Sequence, residues 1–161
     1  MNRATNKKTI AASRVSIGQL MQPEHANNLG NVHGGYVVKL ADECAALACM
    51  RHAGKRCVTV AIDRMTFRQP IRIGDLVTLT AEVTYAGRTS MEAEVFVVAE
   101  NPVTGEQTHT NNAYFVFVAL NEDGTRTTVP PLVAGDEEEA RRMESAIRRQ
   151  EERLRQAKAH E

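Results

Sequence analysis

The chain of 161 residues carries 20 lysines and arginines against 20 aspartates and glutamates, so no net field draws it to nucleic acid or an anionic membrane. Its length suits one domain whose core folds without staples. Cys44, Cys49 and Cys57 show neither CxxC nor a zinc-type Cys/His spacing and read as reduced core thiols of a cytosolic protein. The N-terminus lacks the apolar stretch of roughly 7–15 residues of a secretory signal, and no run approaches the ~20 apolar residues that span a bilayer. A soluble, cytoplasmic protein is expected.

Residues 1–12 are polar and lightly basic, as in a flexible terminus. Val15, Ile17 and Leu20 then alternate with polar neighbours and predict a first strand. "QPEHANNLGN" is a loop, with asparagines that suit caps, left-handed turns or polar site groups. From Gly34 to about Arg51 the pattern is helical. Val37, Val38, Leu40, Ala41, Cys44, Ala45, Leu47, Ala48, Cys49 and Met50 occupy nearly the whole circumference, the mark of a buried helix. Arg51 and His52 suit its C-terminal dipole, and Gly54 is a natural stop.

Four strand-like segments follow. Val58, Val60 and Ile62 alternate with Thr59, Ala61 and Asp63, and "QPIRIGDL" makes a turn. Val77, Leu79, Ala81, Val83 and Tyr85 share one face, opposite Thr78, Thr80, Glu82 and Thr84. "AGRTS" separates that strand from "MEAEVFVVAE", and "NPVTGEQT" carries hairpin signals. "AYFVFVAL" is nearly continuous apolar sequence, as in a central strand covered on both faces. The expected order is one helix followed by an antiparallel meander. At Asp136 the composition shifts to acids and then to interleaved arginines and glutamates, with a thin stripe of Met143, Ile147 and Leu154. This predicts a solvated helix resting on the domain or on a neighbouring subunit.

Within the first helix, Asp42 and Glu43 are anomalous. Lys39 precedes them by three and four residues, so a helix-face ion pair accounts for one carboxylate but not both. Burying the other unpaired is costly, which points Asp42 towards chemistry. Gly34 and Gly35 bare the helix start, leaving N–H groups and a positive dipole end suited to a phosphate or a polarised carbonyl. Seven residues separate Gly35 from Asp42, roughly 10 Å along the axis at ~1.5 Å per residue. One reacting carbon cannot touch both within one chain. If both serve one site, Gly35 of one chain meets Asp42 of a two-fold-related chain, and an obligate dimer is expected.

Four stretches, "MQPEHANNLGNVHGGYVVKLADECA", "TVAIDRMTFRQPIRIGDLV", "GRTSMEAEV" and "AYFVFVAL" with the later "VPPL", follow one another over about residues 13–132. In this order they resemble the hotdog-fold acyl-CoA thioesterases, in the branch of the short bacterial acyl-CoA hydrolases and the brain-type cytosolic acyl-CoA hydrolase. The resemblance implies an α+β hotdog domain over 13–132, a long central helix wrapped by an antiparallel sheet. Residues 1–12 precede it, and a charged helical extension over 133–161 follows. It implies hydrolysis of acyl-CoA to a carboxylic acid and free CoA, with no metal and no cofactor beyond the CoA of the substrate itself. The active unit would be a homodimer, assembled as a trimer of dimers, with no nucleic acid and no membrane as partner.

Residue by residue, Asn27, three before Gly30, matches the family's functional asparagine, with Asn28 as its neighbour. Asp42 falls on the acidic position seven after the glycine pair. "GRTSME" matches the CoA-binding segment, with Thr89 keeping the hydroxyl of the commoner serine. The implied roles are Asp42 as general base or nucleophile and Asn27 of the partner chain orienting water or thioester. The Gly35 N–H would stabilise the oxyanion beside Gly34, while Gly87, Arg88, Thr89 and Ser90 contact CoA. Val116 stands where many relatives carry threonine, which bears on acyl preference.

Rival readings are weaker. A hotdog dehydratase needs a histidine paired with an acid in a hydration motif that is not found. A non-catalytic acyl-CoA-binding module would keep the fold and CoA contacts without Asp42. A DNA-binding regulator needs a basic reading module, which the charge-balanced C-terminal helix does not supply. His25, His33 and His52 lack metal-site spacing and suit loop or cap roles, although His33 borders the glycine pair. Phe67 and Tyr114 read as core, or as an aromatic edge of an acyl tunnel.

Overall fold

Six strands form one antiparallel sheet that curls around a long helix. The computed structural model describes residues 6–63, 65–109 and 112–159. Along the chain lie β1 (Val15–Leu20), α1 (Gly34–Ala53), β2 (Arg56–Ile62), β3 (Leu76–Ala86), β4 (Ser90–Glu100), β5 (Gln107–His109), β6 (Ala113–Leu120) and α2 (Glu137–Ala159). This is the expected α+β hotdog architecture with its C-terminal helix.

The strand order is β1-β3-β4-β6-β2, with the short β5 pairing β4. The simple meander expected is therefore incorrect, because β2 crosses to the far edge and pairs with β6, with Val58 opposite Val118. Alternation identifies a strand but carries no information about its partner. The link from β2 to β3 is accordingly long. Near its end Ile71 accepts a backbone bond from Val32, which ties it to the loop before α1.

One face of α1, including Val37, Leu40, Ala41, Cys44, Ala45, Ala48 and Cys49, packs on inward side chains of the sheet such as Leu79, Val83, Met91, Phe115 and Phe117. Gly54 ends the helix in the left-handed region at φ 64°, where a side chain would be strained. Burial all round does not hold within one chain. Val38 and Ala46 are only half-buried, and Leu47 is exposed. On β2 the valine face points outward, leaving Val58, Val60 and Ile62 about half exposed. The less apolar Cys57, Thr59 and Ala61 are half-buried on the opposite side, where Thr59 reaches α1.

Two expectations about the termini change. Within the stretch 1–12, read as flexible, the chain is pinned from Lys8. The Lys8 amide donates to Pro131, its ammonium donates to the Arg51 and His52 carbonyls at the end of α1, and Ile10 is fully buried. The C-terminal helix rests on the domain, as expected, but not through its thin apolar stripe, since Ile147 and Leu154 are exposed. α2 instead turns Glu139, Arg142, Ala146, Arg149 and Arg153 towards the domain. They cover Glu82, Glu92 and Glu94, buried on the outer face of β3 and β4. Arg142 bridges Glu82 (2.6 Å) and Glu94 (2.9 Å), while Arg149 and Arg153 each reach Glu92 at 2.8 Å. Arg14 adds a further bond to Glu82 at 2.6 Å. Buried carboxylates require such partners, and the arginines that supply them make α2 part of the sheet's outer layer.

Candidate active site

The two mid-helix acids separate cleanly. Lys39 pairs with Glu43 at 2.9 Å, the i,i+4 geometry, which accounts for Glu43 as surface chemistry. Asp42 is half-buried and, among the described residues, pairs with no cation. Its Oδ1 accepts a 2.6 Å hydrogen bond from the Thr59 hydroxyl on β2. This bond orients the carboxylate, and among the described residues Oδ2 takes no hydrogen bond. Thr59 was not singled out from the sequence. Its sequence signal was limited to its place between Val58 and Val60 in the alternation of β2.

At the start of α1 the geometry is more constrained than the glycine pair suggests. His33 is the N-cap, and its Nδ1 accepts the Gly35 N–H at 3.0 Å. A Cβ at Gly35 would stand 3.1 Å from that imidazole ring, a tight contact from which the ring would have to shift by a few tenths of an ångström. The N–H expected to bind an oxyanion is thus engaged by His33 in the free chain. A Cβ at Gly34 would lie 3.5 Å from the Phe67 ring, so an aromatic edge sits over the helix start.

Asn27 shapes its own loop. Its Oδ1 accepts the N–H groups of Leu29 (2.9 Å) and Asn31 (3.2 Å), and Gly30 beyond it has φ 81°. The carboxamide oxygen is engaged in this turn, which leaves the Nδ2 hydrogens as the side chain's remaining donors. Asn27 and Gly34 line a cleft of about 310 Å³ with Val37, Phe67, Arg68 and Ile71, a volume at the lower end of small-molecule sites. Asp42 does not line it. Among the described residues no cluster of three or more His, Cys, Asp or Glu side chains forms a metal site.

The segment 87–90 stands elsewhere. Gly87 turns tightly, its N–H donating to Ser90 at 2.8 Å, and a Cβ there would meet the Tyr85 hydroxyl at 3.1 Å. The Thr89 carbonyl accepts from Ala119 and the Arg88 carbonyl from Val129, and the Arg88 side chain is exposed. Leu120, next to Ala119, pairs with Arg56, the first residue of β2, just past the C-terminus of α1. The glycine pair marks the other end of a 20-residue helix, about 30 Å away at ~1.5 Å per residue. A single chain therefore brings Asn27 to Gly34, leaves Asp42 midway, and holds Arg88, Thr89 and Ser90 at the opposite end.

A long helix within a curled antiparallel sheet, a glycine-bared helix start and a carboxylate halfway along define the hotdog class. The model of the thioesterase superfamily matches residues 29–106. YkhA of Bacillus subtilis, named as an uncharacterized acyl-CoA thioester hydrolase, is 34% identical over 146 residues, 91% of this chain and 81% of that protein. An apo-hexameric acyl-CoA thioesterase superposes with a TM-score of 0.89 at 38% identity, covering 94% of this chain and 97% of the other. The acyl-CoA hydrolase of Staphylococcus aureus, solved with butyryl coenzyme A, coenzyme A and coenzyme A disulfide, superposes with a TM-score of 0.86 at 30% identity over 96% and 94% of the two chains. That hydrolase has also been solved with an aspartate, an asparagine or a threonine replaced by alanine. The chain belongs to the thioesterase superfamily, among its hotdog-fold acyl-CoA thioesterases.

Proposed function

We propose that the chain hydrolyses acyl-CoA to a carboxylic acid and free CoA, in a site built from two protomers of a homodimer. The observation that carries this reading is the Asp42 carboxylate, paired with no cation among the described residues and oriented by Thr59 on the half-open side of α1. Asp42 takes a proton from water as the hydroxide oxygen bonds to the thioester carbon. The tetrahedral oxyanion then collapses, the C–S bond breaks, and the proton passes to the departing CoA sulfur. Asn27 of the other protomer orients water or the thioester through Nδ2. The thioester oxygen takes the Gly35 N–H when the His33 imidazole turns aside.

Two-fold assembly is the economical way to unite these parts. It places the helix start of one protomer against the middle of α1 in the other, and it covers the exposed Leu47 and the half-open Val38 and Ala46. The same operation brings Arg88, Thr89 and Ser90 of one chain towards the glycine pair of the other, where Arg88 meets the CoA phosphates. The dimers assemble further as a trimer of dimers, in keeping with the hexameric relative. Support for the residue roles comes from the aspartate, asparagine and threonine exchanged in the Staphylococcus aureus hydrolase, the residue types of Asp42, Asn27 and Thr59.

The test is CoA release from a panel of short to long acyl-CoAs, separated chromatographically, for wild type beside Asp42→Ala. Turnover in the wild type that disappears in a folded variant is the expected result. CoA binding without turnover on any member of the panel would make the chain a binding module. Attack by Oδ2 rather than by water is recognised in labelled water, because an acyl-aspartyl anhydride opened at the aspartyl carbon leaves solvent oxygen in the Asp42 peptide.

A further inference from the structure

The cleft wall formed by Phe67, Arg68, Gln69, Pro70 and Ile71 has no regular secondary structure of its own to hold it. It is anchored at its two flanks. Downstream, the Ile71 carbonyl accepts from Val32 at 2.8 Å. Upstream, Asp63 leaves the end of β2 with its amide bonded to the Tyr114 carbonyl at 2.8 Å. The Asp63 carboxylate is held by Arg153 of α2, Nη1 to Oδ2 at 2.6 Å. The other arm of the same guanidinium grips buried Glu92 at 2.8 Å. Arg149, stacked 3.8 Å over the Tyr114 ring, steadies the strand beneath. A planar fork shared between two carboxylates fixes direction as well as distance.

We infer that Arg153 is a positioning residue for the substrate cleft. Through Asp63 it sets where Phe67 lies over Gly34, so that the C-terminal helix takes part in acyl recognition. This rests on the thioesterase reading, under which the cleft beside Asn27 and Gly34 receives the thioester end of the substrate. Arg153→Gln removes the grip on Asp63 while Arg149 keeps Glu92 paired and Arg142 keeps α2 docked. Asp63→Asn cuts the same link from the other side and leaves Arg153 on Glu92.

Both variants, purified as the full chain, are assayed against acyl-CoAs from acetyl to palmitoyl. Each is expected to raise KM about fivefold with kcat within twofold, an effect on binding rather than on the chemical step. The spread of kcat/KM across chain lengths narrows at least threefold by the same loss of ground-state contacts. The double variant is no worse than either single one, as two ends of one link require, and Arg153→Lys recovers part of the loss. A merely structural role would lower the melting temperature of both variants and leave KM and chain-length preference unchanged, which overturns the inference, as does an additive double variant. Hydrogen exchange supplies a readout that needs no turnover. Amides of residues 65–71 exchange faster in either variant while those of residues 137–147 do not. Unchanged exchange at 65–71 refutes the positioning role even if the wild type hydrolyses no acyl-CoA.

Discussion

Replacing both Arg149 and Arg153 by alanine tests how the outer layer is held. Glu92 is 0% exposed and in the native chain is bonded by both arginines and by the Thr84 hydroxyl at 2.7 Å. The double variant leaves it with the hydroxyl alone. Removing the partners of a buried charge costs about 3–5 kcal/mol, a large share of the roughly 10 kcal/mol that stabilises a domain of this size. Part of this loss is recovered because the partly exposed arginines no longer need ordering, so about 3 kcal/mol is the expected net effect at pH 7.5. Urea unfolding at pH 7.5, at one protein concentration, measures the effect. The control is Arg148→Ala, which breaks the exposed pair with Glu144 and shifts stability by no more than about 0.5 kcal/mol. A double variant no less stable than this control would refute a buried ionic role for Glu92.

Thr59→Val removes the side-chain hydrogen bond to Asp42. Such a bond to a charged group is worth about 1.5–3 kcal/mol, so kcat/KM falls roughly 10- to 100-fold with little change in melting temperature; unchanged kinetics would remove Thr59 from the site. His33→Ala loses the N-cap at a cost of about 1 kcal/mol but leaves the Gly35 N–H unoccupied, so turnover persists; abolished turnover in a folded variant would instead make His33 a catalytic residue. Enclosure pushes the His52 imidazole below the ordinary histidine range, with the Pro130 carbonyl pulling the other way and Lys8 adding to the depression. The unfolded chain therefore takes up the proton first. Stability contributed by neutral His52 is lost as pH drops below about 6.5 towards the folded pKa, and the slope flattens beneath it. His52→Gln, which keeps an N–H for Pro130, flattens the urea midpoint between pH 7 and pH 5; an unaltered slope excludes His52 as the source.

What the sequence made legible follows from how local the physics is. α1 was readable from its apolar run and Gly54, and the strands from alternation. The assignment of Lys39 to Glu43 is an i,i+4 relation written in the chain itself. The partner of β2 was not legible, because Val58, Val60 and Ile62 alternate identically whichever strand lies beside them. The burial of Glu82, Glu92 and Glu94 was not legible for the same reason. The arginines that enclose them come from α2, 57 residues away in the case of Arg149 and Glu92, and no periodicity connects the two. Lys8 and Ile10 were likewise hidden, since their anchors at Pro131 and at the end of α1 are remote in sequence. Of the candidate site, Gly34, Gly35 and Asp42 were singled out from helix position and spacing, and Asn27 from the family resemblance. Thr59 was missed because a threonine in a strand is ordinary until a helix carboxylate is placed above it, and the capping of Gly35 by His33 requires a rotamer to be seen.

The central claim is a site shared between protomers, and mixing two inactive variants tests it most directly. Asn27→Ala and Asp42→Ala chains are each expected to be inactive alone. Co-expressed and purified through two different tags, the mixed dimer regains one intact site of two, about half the wild-type turnover per dimer, or about a quarter in an unselected mixture. Recovery at that level establishes that Asn27 of one chain works with Asp42 of the other. Mixed dimers that form yet release no CoA, while wild-type dimers prepared alongside do, would contradict the account.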